Sequence, residues 1–192
     1  MGKKIAESSR NDCWIKKYTL VFISVCLVVF SLQIYYGKSF VYTGQGLDGD
    51  GLVQHYNALA YYGEWLRSIL KNIFIDHSFS IPEFDLSIGL GGDIVSTLNY
   101  YTIGDPLNVL SVFVPARHTE FLFNTLVVVR LYLAGIAFFL YCRYHSYESS
   151  QILPGAIIYV FSFYSIVISV LHPNFLNPLI YFPLILLGID KI

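Results

Sequence analysis

The chain has 192 residues, of which 55% are hydrophobic and 17% aromatic but only 13% charged, against about 25% charged in an ordinary soluble domain. A mean hydropathy of +0.57 argues against disorder and against a simple soluble enzyme. The net charge of −1, with no basic cluster interleaved with aromatics, gives no general attraction to nucleic acid.

The apolar residues gather into runs long enough to cross a bilayer, which takes about 20 residues as helix. A basic cytoplasmic N-terminus, residues 1–17, carries Lys3, Lys4, Arg10, Lys16 and Lys17, and an uncharged run follows from Tyr18 to Gly37. That run exceeds the ~7–15 apolar residues of a signal core, and no A-x-A-like cleavage site follows it. It is expected to be an uncleaved transmembrane helix over 18–37. A second crossing is expected over 121–142, where Arg130 is the only charge.

The stretch from Ser149 to Ile189 has no charged residue and as one helix would reach roughly 60 Å, about twice the hydrocarbon thickness. It is therefore expected to fold back at His172-Pro173-Asn174, since proline disfavours helix before it and Asn suits turns. This leaves a third helix over 151–171 and a fourth over 175–189. The fourth is short, contains Pro178 and Pro183, and is followed at once by Asp190-Lys191-Ile192, which reads as a truncated frame. Arg143 and Lys191 then lie on the same side as the basic N-terminus, the cytoplasmic side by the positive-inside rule. The expected fold is an all-α polytopic membrane protein of about four transmembrane helices with a long extracytoplasmic first loop, 38–120.

That loop is too long and too aromatic for a plain connector. Leu52, Tyr56, Leu59, Gly63, Leu66, Leu70 and Ile73 recur at spacings of four and three, which predicts an amphipathic helix, either lying in the membrane interface or packed on its neighbours. Gly89-Leu90-Gly91-Gly92-Asp93 is either an ordinary loop or a phosphate-cradling nest. Asp105-Pro106 predicts the N-cap and first residue of a short helix through Val114, stopped by Pro115.

The densest chemical signal is Asp48-Gly49-Asp50-Gly51, just before the amphipathic helix. Two carboxylates one glycine apart can share a divalent cation, or one can act as a base that the other orients; Asp50 can equally serve as an N-cap. The only cofactor suggested is such a cation, with Asp48 and Asp50 as its ligands. Arg130 lies roughly 13 Å, about nine residues, inside its helix, where a charge normally faces a partner or a cavity. It is expected to bind a lipid phosphate or to pair with a carboxylate in a part of the protein beyond this chain. Arg117 and His118 at the outer interface and His55 beside the acidic motif complete the candidate substrate-binding set. His172 at the outer turn shows no ligand spacing. The cysteines, Cys13, Cys26 and Cys142, have no CxxC spacing and are expected only to pack.

The order of these features is distinctive: a basic N-terminus and one helix, Asp48-Gly-Asp50-Gly, Gln54-His55-Tyr56, Gly89-Leu-Gly91, Tyr100-Tyr101, Asp105-Pro106-Leu107, and a helix with Arg130 embedded in it. It resembles the N-terminal part of the YfhO-like bacterial membrane proteins. The resemblance implies a GT-C glycosyltransferase architecture that takes sugars from a polyprenyl-phosphate carrier on the outer face and glycosylates teichoic acid or a similar envelope polymer. It implies that Asp48 or Asp50 is the general base and that Arg117 or Arg130 holds the carrier phosphate, with a second polypeptide possible as the source of missing helices. Two other classes stay open from the residues: a transporter or flippase-like module lined by Arg130 and the acidic loop, and a non-catalytic subunit of a larger assembly.

Overall fold

The computed structural model describes the backbone of residues 2–43 and 50–192, and the side chains of 14–42, 50–169 and 171–192. The structure is mostly helical. Its elements run α1 (Gly2–Val29), α2 (Ser31–Tyr35), α3 (Phe40–Thr43), a π-helical turn (Gly51–Tyr56), α4 (Asn57–Phe74), β1 (Phe84–Asp85), β2 (Gly92–Asp93) and α5 (Ile94–Leu98), then 3-10 turns at Asn108–Phe113 and Ala116–His118. They continue with α6 (Thr119–Tyr144), α7 (Ser149–Val160), α8 (Phe163–Leu171), a 3-10 turn (Pro173–Leu176) and α9 (Asn177–Ile189). The chain forms two compact units: Met1–Lys38 with Leu131–Ser165 and Pro178–Ile192, and Ser39–Arg130 with Ile166–Asn177.

The first unit is built on aromatic packing. Trp14, Tyr18, Phe22 and Phe30 are buried at spacings of four and eight, one stripe of α1 continued past its end. Trp14 stacks on Phe139 at 4.0 Å between ring centres, and the Tyr18 hydroxyl donates to the Tyr132 carbonyl at 3.1 Å. This close approach is possible because residue 135 is glycine: a Cβ there would run into the Tyr18 ring. Elsewhere on α1 apolar side chains are exposed, with Leu20 70% and Val28 74% accessible.

The expected helix over 18–37 differs in detail. One helix runs from the basic segment to Val29, and Phe30 breaks it only slightly, since Phe30 N–H still bonds Cys26 and Ile34 N–H bonds Phe30. It ends at Gly37, whose φ of 59° lets Lys38 and Gly37 donate back to Gln33 and Ile34, the αL closure that glycine permits. The same closure ends α6, with Ser146 at φ 64° and bonds from Tyr147 to Cys142 and from Ser146 to Arg143.

The expected third helix, 151–171, is two helices, broken at Phe161-Ser162, where the Ser162 hydroxyl bonds Ser165 Oγ at 2.9 Å. Among the described residues one helix with its leading turn, Ala116–Tyr144, is long and apolar enough to cross a membrane. Ser149–Val160 with Phe163–Ser169 qualifies as a broken pair, and Pro173–Ile189 is a shorter apolar helix.

The second unit is built around α4. Its Ala58 and Tyr62 pack with Ile94 and Leu98 of α5. Gly63 brings the helix against the 3-10 turn so closely that a Cβ would sit 2.7 Å from the Ser111 carbonyl oxygen. The Arg67 guanidinium donates to the carbonyls of Ser111 at 2.9 Å and Val114 at 2.8 Å, closing the carbonyl end of that turn. Asn124 of α6 accepts from the Ser39 hydroxyl and the Phe40 N–H, both at 3.0 Å, which ties down the start of α3.

The glycine-rich segment forms the bend of a short antiparallel hairpin, Phe84 opposite Asp93 and Asp85 opposite Gly92. Gly89 and Gly91 take φ of 61° and 107° there, and a Cβ on Gly91 would lie 2.8 Å from the Phe84 ring. Their backbone conformation is thus accounted for by the turn. Asp93 caps α5 by accepting from Ser96 N–H at 2.6 Å.

Candidate functional site

Asp50 precedes the π-helical turn directly. Such turns are rare and recur at functional sites; the i→i+5 register brings Gln54 and His55 round together. Asp50 Oδ1 accepts from Gln54 Nε2 at 2.6 Å, and the Asp50 side chain makes no capping bond to the backbone of the turn. The carboxylate is therefore turned toward side chains. Asp50 Oδ2 faces His172 Nε2 at 3.4 Å, and His172 Nδ1 meets His55 Nε2 at 2.9 Å. A carboxylate, an imidazole and a second imidazole thus stand in one line.

The members of this line differ in exposure. The side chains of Asp50 and His172 are each 25% accessible, whereas His55 is buried at 3%. His55 packs edge-on to Tyr101 and His172, and the His172 ring stacks on Phe175. Burial first, then the neighbouring His172, pushes the His55 pKa down to about 4; Asp50 opposes this, and Arg130 adds the smallest downward push. His55 is neutral near pH 7. Its Nδ1 has no hydrogen-bond partner among the described residues.

Arg130 sits in a second polar group. Its Nη2 donates to Asp105 Oδ2 at 2.6 Å, Asn108 Oδ1 at 2.8 Å and Asn174 Oδ1 at 3.2 Å, and its Nε to Asn177 Oδ1 at 3.2 Å. Asn177 also donates to Asp105 Oδ2 at 2.9 Å, and Asn174 donates to the Tyr101 carbonyl. Arg130 and Asp105 are both buried. The carboxylate partner expected beyond the chain is therefore present within it. The guanidinium donates to four side chains through Nε and Nη2.

Asp105 was expected to cap a short helix. Its Oδ1 does accept from Leu107 N–H at 2.9 Å, but the following turn is 3-10, Asn108–Phe113, and its second oxygen holds Arg130.

The remaining candidates lie elsewhere. Asp48 is outside the described residues, so the carboxylate pair is represented by Asp50 alone. Among the described residues no cluster of three or more His, Cys, Asp or Glu is arranged to hold a metal ion. Arg117 and His118 are exposed in their 3-10 turn, and Arg117 Nε donates to His118 Nε2 at 3.1 Å.

Sequence reasoning set His172 aside and missed Asp105, Asn108, Asn174 and Asn177 as partners of Arg130. One signal was available: His172-Pro173-Asn174 and Asn177-Pro178 place three polar side chains within a run otherwise free of charge.

The family model described as bacterial membrane protein YfhO matches residues 18–192. No curated protein and no solved structure matches the chain.

Proposed function

Because the chain belongs to the YfhO family of bacterial membrane proteins, we propose that it is part of a membrane glycosyltransferase of the GT-C type. In this proposal it transfers a sugar from a polyprenyl-phosphate carrier to a hydroxyl of an envelope polymer such as teichoic acid, at the extracytoplasmic face. The observation that carries the reading is the setting of Asp50, a quarter-exposed carboxylate held by Gln54 and facing His172. A carboxylate held in place and open to an incoming hydroxyl is what a general base requires.

The proposed step is a displacement at the anomeric carbon. The acceptor oxygen bonds to that carbon as its proton passes to Asp50, and the carbon–oxygen bond to the carrier phosphate breaks with its electron pair leaving on the phosphate. The exposed Arg117 and His118 are the groups proposed to meet that phosphate, since cations at a membrane boundary can neutralise charge developing on a lipid-linked leaving group. Arg130 is assigned a bracing role.

The topology that goes with this reading has four spans, 18–37, 121–142, 151–171 and 175–189, with the N-terminus cytoplasmic and 38–120 extracytoplasmic. In it α4 lies at the membrane interface.

The test is transfer of radiolabelled sugar from polyprenyl-phosphate donor to envelope polymer in membranes holding the full-length protein. Asp50→Asn should remove nearly all transfer while the protein still inserts at normal abundance. Unchanged transfer in an inserted Asp50→Asn variant sinks the assignment and favours a transporter or a scaffold.

A further inference from the structure

We propose that a cleft in the first unit, lined by residues of α1, the end of α6 and the start of α7, binds the phosphate of an anionic phospholipid headgroup. The proposal is independent of the role given to Asp50.

Local rules assemble the cleft. Trp14 of α1 stacks on Phe139 of α6. Lys17 and Arg143 follow these two rings by three and four residues, on the same faces of their helices. Ser146, in the left-handed conformation, closes α6, and Glu148 starts α7 through a capping box. Trp14, Lys17, Arg143, Glu148, Ser149 and Ser150 are thereby among the residues lining a cleft of about 490 Å³, a size typical of small-ligand sites.

The charge in this lining is unbalanced. Neither the Lys17 ammonium nor the Arg143 guanidinium has an ion-pair partner among the described residues. Glu148, the acid of the lining, is already engaged: its carboxylate accepts from the Gln151 N–H and from the Ser150 hydroxyl. A phosphate matches what remains. Guanidinium and ammonium groups both donate charge-assisted hydrogen bonds to phosphate oxygens. The N–H groups of Ser149 and Ser150 open α7, where no earlier carbonyl of the helix reaches them. Trp14 is 7% accessible, and its indole N–H, which can only donate, bonds none of the described residues.

The place of the cleft assigns that phosphate to a lipid. Arg143 stands one residue before the end of Ala116–Tyr144, the helix long and apolar enough to cross a membrane. The cleft therefore opens at a bilayer boundary, where Trp and Tyr side chains collect and where basic pockets between helices hold anionic headgroups. Tyr147, 60% accessible, belongs to the same lining.

The test is binding of phosphatidylglycerol to the full-length protein in neutral detergent, read by native mass spectrometry, with phosphatidylcholine and inorganic phosphate as comparisons. Phosphatidylglycerol should bind more tightly than phosphatidylcholine, and millimolar phosphate should not displace it. Lys17→Gln combined with Arg143→Gln should weaken phosphatidylglycerol binding about 25-fold, at roughly fivefold for each cation. Lys38→Gln combined with Lys71→Gln removes the same charge outside the lining and should leave binding unchanged. Glu148→Gln removes the acid, keeps an acceptor for the cap, and should tighten binding, a gain that no loss of folding can imitate. Equal affinity for the two lipids, equal weakening in the two double variants, or no gain in Glu148→Gln overturns the proposal. Displacement of the lipid by millimolar phosphate assigns the cleft to a soluble phosphate and overturns the lipid source.

Discussion

Replacing Arg130 by methionine keeps most of the side-chain volume and deletes the charge. The Asp105 carboxylate, 7% accessible, would then lose its 2.6 Å partner, and Asn108, Asn174 and Asn177 would each lose a donor. Removing one member of a buried ion pair typically costs about 3–5 kcal/mol. The lower end applies, because Asp105 keeps the Asn177 amide and the Leu107 N–H. About 3 kcal/mol in a chain of this size lowers the unfolding midpoint by roughly 6–12 °C. Thermal unfolding in detergent, followed by intrinsic fluorescence, reads this directly. Arg130→Met combined with Asp105→Asn should lose less than the sum of the two single changes, by about 0.5–3 kcal/mol. A midpoint for Arg130→Met within about 2 °C of wild type, or strict additivity in the double variant, would refute the view that Arg130 braces this unit.

Two further outcomes follow from packing and titration. The His55 pKa falls from 6.5 to about 4 in the fold, so between those values the unfolded chain binds a proton that the folded chain does not. Stability present above pH 6.5 is therefore lost as pH falls toward 4, by about 3 kcal/mol over the window; denaturant titrations at several pH values should show this slope, and His55→Phe should flatten it. Gly135→Val would drive a side chain into the Tyr18 ring and should destabilise by about 1–3 kcal/mol, a loss that Gly188→Val, where a Cβ has open space, should not reproduce in thermal unfolding.

Much of the architecture was legible because it is local. Runs without charge and the period of α4 depend on neighbours within a turn or two. The break at Phe161-Ser162 was not legible, since neither residue is a helix breaker and the surrounding run is uniformly apolar. The site was legible only as isolated anomalies. Arg130 stood out because an unpaired cation in an apolar run is costly, yet its partners lie 22 and 25 residues before it and 44 and 47 after it. His55 and His172 are 117 residues apart, and no spacing rule joins them. Asp105 misled because one carboxylate oxygen makes the local bond its sequence context foretells, while the other makes the distant one.

The π-helical turn after Asp50 gives this site an independence from the fold around it. A π turn amounts to one residue more than an α-helix needs in the same length. Deleting a single residue within Gly51–Tyr56 would let the turn relax to α, shifting the residues before it by about 100° around the axis while α4 kept its register on the 3-10 turn. Asp50 would then point away from His172 while Ala58 and Tyr62 of α4 kept their packing on α5. One codon separates a connected carboxylate from a disconnected one, so this segment can gain or lose its chemistry in evolution far more readily than it can lose its shape.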